Sequence, residues 1–91
     1  MSTTRYQRHP DLRLTALDEE GVVLHLGARR YFTVNATGLR LLQELAAPRT
    51  LTELSLALTA EFAVTEEDAR ETTRAFLAKC IEASVVQEDG R

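Results

Sequence analysis

Ninety-one residues make one domain, and a chain of this size buries roughly 60–65 % of its unfolded surface. Its 44 % hydrophobic and 27 % charged residues are those of an ordinary globule, and no apolar run approaches the ~18 residues of a membrane span. The net charge of −3 divides unevenly: residues 1–49 carry seven Arg against five acids, whereas residues 50–91 carry four bases against nine acids, which makes the second half a poor surface for phosphates. The opening Met1-Ser2-Thr3-Thr4-Arg5-Tyr6 lacks the apolar stretch of a signal peptide, and the single Cys80 has no disulfide partner. A reducing, cytoplasmic location without a membrane partner is therefore expected.

Residues 12–17 (Leu-Arg-Leu-Thr-Ala-Leu) read as a first strand. Asp18-Glu19-Glu20-Gly21 reads as a turn in which the glycine can take positive φ. Residues 22–26 follow as a second strand, with Val22, Leu24 and Leu26 on one face and Val23 and His25 on the other. After the turn Gly27-Ala28-Arg29, residues 30–34 form a third strand. Its alternation sets Phe32 and Val34 opposite Tyr31 and Thr33. We expect Phe32 and Val34 to face the core, leaving Tyr31 and Thr33 to line a binding surface. Two short turns between three strands imply an antiparallel meander.

The next junction is the most informative stretch of the chain. Asn35 stands where the extended run stops and a Leu-rich helix begins, and Asn is a strong N-cap. Val34 before the cap and Leu39 within the helix have the spacing of a hydrophobic staple. The first helix is expected over 36–46, ended by Pro48. Thr50 caps a second helix with Glu53 in the capping-box position, and Leu51, Leu54, Leu58 and Phe62 form its apolar face. Thr65 caps a third, whose first turn Glu66-Glu67-Asp68 suits the helix dipole. Its broad apolar face includes Ala69, Thr73, Phe76, Leu77, Cys80 and Ile81. Val85-Val86 make a short extended end, and the polar tail 87–91 is expected to fray. The result is an α+β domain over 1–91, with an ordered core of about 12–86 and the order βββααα.

The stretch Arg30-Tyr31-Phe32-Thr33-Val34-Asn35-Ala36-Thr37-Gly38 resembles the strand-to-helix junction of the PqqD-like family, the RiPP recognition elements. Gly21-Val22-Val23-Leu24, Thr50-Leu51-Thr52-Glu53-Leu54 and Ala75-Phe76-Leu77 are similar to its second strand and later helices, so the resemblance covers about residues 14–86. The chain departs from the pattern at Val34, where Leu is frequent, and at Ser84-Val85-Val86, where Gly-Leu-Val is frequent. The resemblance implies a winged-helix-like fold and a protein that binds the leader of a ribosomally made precursor peptide. Without a fused enzyme domain it looks most like the stand-alone recognition protein of a lasso-peptide pathway. The implied partners are the leader, a separate leader peptidase and a macrocyclase. The peptide chaperone of quinone-cofactor biosynthesis, which acts with a radical SAM enzyme, is the alternative within the same fold.

From the residues themselves, the third strand is the main functional candidate, because an edge strand can accept a peptide as an additional strand. Arg30, Tyr31, Phe32, Thr33 and Val34 are expected to pair with the peptide. Leu77 and Ile81 of the third helix are expected to floor the groove, with Arg70 and Arg74 as basic lips meeting acidic leader residues. The bland alternatives are an unpaired edge and a wide core face with solvated arginines. His9 and His25 have no Cys or His at metal-ligand spacing, Cys80 lacks a base, and there is no phosphate loop. No catalytic residue, metal or cofactor is therefore expected, and the protein is not expected to be an enzyme. A winged helix-turn-helix DNA-binding protein is the rival class. Its recognition helix would carry Glu66, Glu67, Asp68 and Glu71 against Arg70, Arg74 and Lys79, a charge balance that opposes phosphate. Nucleic acid is therefore not an expected partner.

Overall fold

The switch from period-2 to period-3.6 patterning produces, in the computed structural model, strands followed by helices over the described residues 4–89. The strands are β1 (Arg5–Arg8), β2 (Leu12–Leu17), β3 (Glu20–His25), β4 (Arg30–Val34), β5 (Arg49–Thr50) and β6 (Val86–Asp89). The helices are α1 (Ala36–Glu44), α2 (Leu51–Glu61) and α3 (Glu66–Glu82). β2, β3 and β4 form the expected antiparallel meander, with Leu14 opposite Val23 and Val23 opposite Phe32.

The β2–β3 turn is tighter than the sequence implied. Leu17 pairs with Glu20, and Asp18 rather than Gly21 takes the left-handed conformation, at φ 54°. Asp tolerates that region because its short side chain bonds locally. Gly21 is instead a strand residue, and its role is clearance. A Cβ there would stand 2.8 Å from Leu39 Cδ1 and 3.0 Å from Val34 Cγ2. The missing side chain lets α1 lie close on the sheet.

A second sheet, ordered β5-β1-β6, lies outside the expected meander. Gln7 pairs with Gln87 and Tyr6 with Glu88, so the tail expected to fray is held by strand pairing through the described part of its length. Gly90 and Arg91 lie outside the described residues. These strands bond through backbone, and their side chains are mostly polar. Only Tyr6 and Val86 turn apolar side chains onto the core, so no alternation betrays them.

All three helix starts are capped as the sequence implied. Asn35 Oδ1 accepts from the Gly38 N–H at 2.9 Å. At α2, Thr50 N–H donates to Glu53 Oε1 at 2.8 Å and Glu53 N–H to Thr50 Oγ1 at 3.1 Å, a complete capping box. The Thr50 N–H holds the Glu53 carboxyl below its usual range. Thr65 Oγ1 accepts from the Asp68 N–H at 3.1 Å. Asn35→Ala is expected to cost about 1 kcal/mol. In a domain of this size that lowers Tm by about 4–8 °C in a thermal melt, and an unchanged Tm would dismiss the cap.

Leu41 and Leu42 of α1, and Leu45 at its C-cap, sit in the core with Val23 of the sheet and Leu54, Leu58, Ala69 and Leu77 of α2 and α3. Thr73 of α3 is fully buried among them, and its hydroxyl has no hydrogen-bond partner. An unpaired buried hydroxyl costs free energy. Thr73→Val keeps the shape and removes the polar atom, so we expect about 1 kcal/mol of added stability, read as a higher midpoint in urea. A lower midpoint would show that the hydroxyl is satisfied in solution.

α3 ends in a Schellman motif. Val85 N–H donates to Cys80 O at 2.8 Å and Ser84 N–H to Ile81 O at 3.1 Å. Ser84 takes φ 61°, a conformation usually left to glycine. The buried His25 ring ties this corner to the sheet: Nε2–H donates to Ser84 O at 3.2 Å, and Nδ1 accepts from Ala28 N–H at 3.1 Å.

Candidate functional site

β4 is an edge. Among the described residues it pairs with β3 alone. Which of its backbone groups are open follows from the ladder. Leu26 N–H donates to Asp11 O across the β2–β3 pair. Hydrogen-bonded and non-bonded pairs alternate in an antiparallel ladder, so Leu24, Val22 and Glu20 bond toward β2. Gly21, Val23 and His25 then bond toward β4, to Val34, Phe32 and Arg30 in register. This leaves the N–H and C=O of Tyr31 and Thr33 pointing away from the sheet. The edge therefore offers two donors and two acceptors at the two-residue spacing a peptide strand requires.

Beside that edge runs a groove whose other wall is α3. At its centre lie Phe32, Val34, Phe76, Cys80 and Val85, with Lys79 at the lip. Ala83 continues it toward Ala28, His25 and Arg30 at one end. At the other end it opens on Asn35, Gly38, Thr72 and Ala75. Phe76, Cys80 and Ala83 recur at i, i+4 and i+7, one face of a helix. Gly38 makes this end of the groove possible, since a Cβ there would come within 2.9 Å of Phe76 Cε1 and 3.1 Å of Val34 Cβ.

Two expectations change here. Phe32 and Val34 do face the helices, yet they are only half-buried and form the groove floor as well as the rim of the core. Tyr31, 75 % exposed, and Thr33 project from the opposite face of the sheet. Core and groove are thus one surface, not two faces. The second correction concerns α3. Leu77 is buried in the core, and Ile81, Arg74 and Leu77 line a separate depression with Tyr6 and Leu51. Arg70 donates to Thr52 Oγ1 at 3.0 Å on α2. None of these four residues lines the β4 groove. They occupy the opposite flank of the helix, where the bulk of Leu77 and Ile81 makes the stronger apolar signal in the sequence. The flank that does face β4 is marked by small residues, Ala75 and Ala83, around Phe76, and its cation is Lys79.

The fold also brings His9, Asp11 and His25 together, with possible ligand atoms within 4.8 Å of one another, a cluster their spacing did not announce. Both nitrogens of His25 are already bonded to backbone. His9 Nδ1 accepts from the Asp11 N–H at 3.0 Å. The two rings pack with centroids 4.6 Å apart. A cation that took His25 as a ligand would displace one of these two bonds, to Ser84 O or from Ala28 N–H. Burial pushes the Cys80 thiol up to about 11, which keeps it protonated and non-nucleophilic near neutral pH. Among the described residues no helix is long and apolar enough to cross a membrane.

Fold and groove together define a winged-helix-like α+β domain in which the β4 edge runs beside an apolar cleft. The chain belongs to the PqqD family, coenzyme PQQ synthesis protein D, whose model matches residues 20–86. Its structure is similar to that of TbiB1 in complex with the TbiA(β) leader peptide, with a TM-score of 0.79 and 25 % identity over 89 % of this chain and 94 % of that one. It shares its fold with lasso peptide synthetase B1 complexed with the leader peptide, with a TM-score of 0.75 and 21 % identity over 90 % of this chain and 96 % of that one. No curated protein matches.

Proposed function

We propose that this protein binds the leader segment of a ribosomally made precursor peptide by strand addition to β4. It then presents that leader to separate processing enzymes, a leader peptidase and a macrocyclase of the lasso-peptide type. The observation that carries this reading is the conjunction of the open Tyr31 and Thr33 backbone with the Phe32–Phe76 groove. The relatives solved with leader peptides support it. An antiparallel leader residue opposite Phe32 directs its side chain into the groove, while its neighbours opposite Tyr31 and Thr33 make the four backbone bonds.

Magnitudes decide what else is needed. Four strand hydrogen bonds at about 1 kcal/mol each supply about half of the 8 kcal/mol of micromolar binding. The remainder, together with the cost of immobilising the peptide, requires two or three buried apolar anchors. The cations beside the groove are Arg30 and Lys79. Acidic leader residues are therefore expected to meet these, and not Arg70 or Arg74. Lys79→Ala should weaken binding by about threefold and flatten its salt dependence, as rim charges do. Calorimetric titrations at two ionic strengths check this, and an unchanged salt slope would remove Lys79 from the contact.

The protein itself performs no chemistry in this reading. It raises the local concentration of substrate near the enzyme that acts on it. Incubated alone with its purified precursor, it should bind while leaving the peptide's mass unchanged. A cleaved or modified peptide would contradict the proposal. The family match keeps a second reading in view, a peptide chaperone of quinone-cofactor biosynthesis acting with a radical SAM enzyme. Titrating the precursors of both pathways separates the two.

A further inference from the structure

The turn between β1 and β2, His9-Pro10-Asp11, meets the end of β3 at His25. One nitrogen of each histidine and one oxygen of the Asp11 carboxylate lie within 4.8 Å of one another. Three atoms no farther apart than 4.8 Å share a centre within about 2.8 Å of each, and zinc takes nitrogen and oxygen ligands at about 2.0–2.2 Å, so closing on an ion needs shifts of at most about 0.8 Å. The backbones that carry these side chains are anchored. His9 N–H donates to Val85 O at 2.9 Å, and Asp11 O accepts from Leu26 N–H at 3.0 Å. Gly27 keeps the space between Asp11 and His25 clear. A Cβ there would stand 2.6 Å from Asp11 Oδ2, 3.3 Å from His25 Cε1 and 3.6 Å from His25 Nδ1. Gly27 does not take a positive φ, so its turn does not demand a glycine for backbone reasons.

We infer that His9, Asp11 and His25 form a binding site for one divalent transition-metal ion, Zn²⁺ or a close neighbour in the series. His25 is set for this by its other nitrogen. Its Nε2–H is held on Ser84 O, and a metal-ligating imidazole ordinarily rests its second N–H on such a carbonyl. The lone pair then stands on Nδ1, where Ala28 N–H now finds it. Ligation displaces that amide and, where His9 binds through Nδ1, the Asp11 amide as well. Both amides belong to turns, where water can replace the lost partner. Two imidazoles and one carboxylate suit zinc-like ions, whereas Mg²⁺ and Ca²⁺ take oxygen ligands. Three protein ligands leave a coordination position for water. The ion ties the β1–β2 turn to the end of β3 and, through Ser84, to the end of α3. None of this depends on the leader reading, and the test uses the protein alone.

Zn²⁺ titrated into the untagged, chelator-treated whole protein tests it, by calorimetry and by NMR of the imidazole resonances. The chain has two histidines, so each ring signal can be followed by itself. The expected result is saturable binding of one ion per chain, with the ring signals of His9 and His25 shifting together. Asp11→Asn and His9→Ala should each bind at least about tenfold more weakly. Both positions lie outside the core cluster, and thermal melts establish that the variants fold. Co²⁺ serves as the second probe and should give visible d–d bands that Asp11→Asn weakens. Absence of saturable binding, or Asp11→Asn binding as tightly as wild type, would overturn the proposal. So would a shift confined to His9, which would reduce the site to one surface imidazole. A near-ultraviolet thiolate-to-cobalt band would also overturn it, by assigning the ion to Cys80.

Discussion

Thr33→Pro is expected to reduce leader affinity at least tenfold while leaving the fold within about 1 kcal/mol of wild type. The asymmetry comes from the ladder. Thr33 N–H points out of the sheet, so no internal bond is lost when proline removes it. Proline is tolerated at such edge positions. The ring then occupies the space a leader strand needs, and one of the two donors is gone. Phe32→Pro, one residue earlier, should behave in the opposite way. Its N–H belongs to the bond with Val23, and the sheet should fail with it. Calorimetry with a synthetic leader and thermal melts of both variants check the pair. Wild-type affinity in Thr33→Pro would mean that the leader does not add to this edge.

Phe32→Ala is expected to lose both stability and binding. The side chain packs on the core cluster and floors the groove at its centre. Full removal of a buried Phe costs about 3–5 kcal/mol, and a half-buried one about half of that. Affinity should fall by one to two orders of magnitude, because the central anchor loses its partner. Tyr31→Ala is the informative contrast. Its ring stands on the far face of the sheet, where a leader gains only a cross-strand neighbour worth about 0.2–1 kcal/mol. A larger effect at Tyr31 than at Phe32 would place the leader's anchors on the wrong side of the sheet for this account.

How far the sequence reaches is clear from particular residues. Asn35, Thr50 and Thr65 act locally, through bonds to residues three positions on, so their caps are legible in a short window. The meander is legible because β2, β3 and β4 alternate and their turns are short. β1 and β6 are not, because they are paired by backbone across nearly the whole chain and carry mostly polar side chains. The site divides in the same way. Strand residues 30–34 mark themselves by composition. The α3 wall does not, because hydropathy identifies an apolar face but not which of its two margins meets β4. Leu77 and Ile81 are the more apolar margin and Ala75 and Ala83 the less, and close approach to a strand favours the small residues. Gly21 follows Asp18-Glu19-Glu20 and so has the sequence of a turn glycine, whereas its function, clearance for Leu39, depends on a residue eighteen positions away.

The central claim is that a leader strand bonds to the outward backbone groups of β4. Amide hydrogen exchange by NMR, with and without a saturating synthetic leader, addresses it residue by residue. In the free protein the Tyr31 and Thr33 amides should exchange quickly, while the Phe32 amide, already bonded to β3, should be slow. With leader bound, Tyr31 and Thr33 should become protected and Phe32 should change little. Saturating leader that leaves the Tyr31 and Thr33 amides exchanging as fast as before would contradict strand addition.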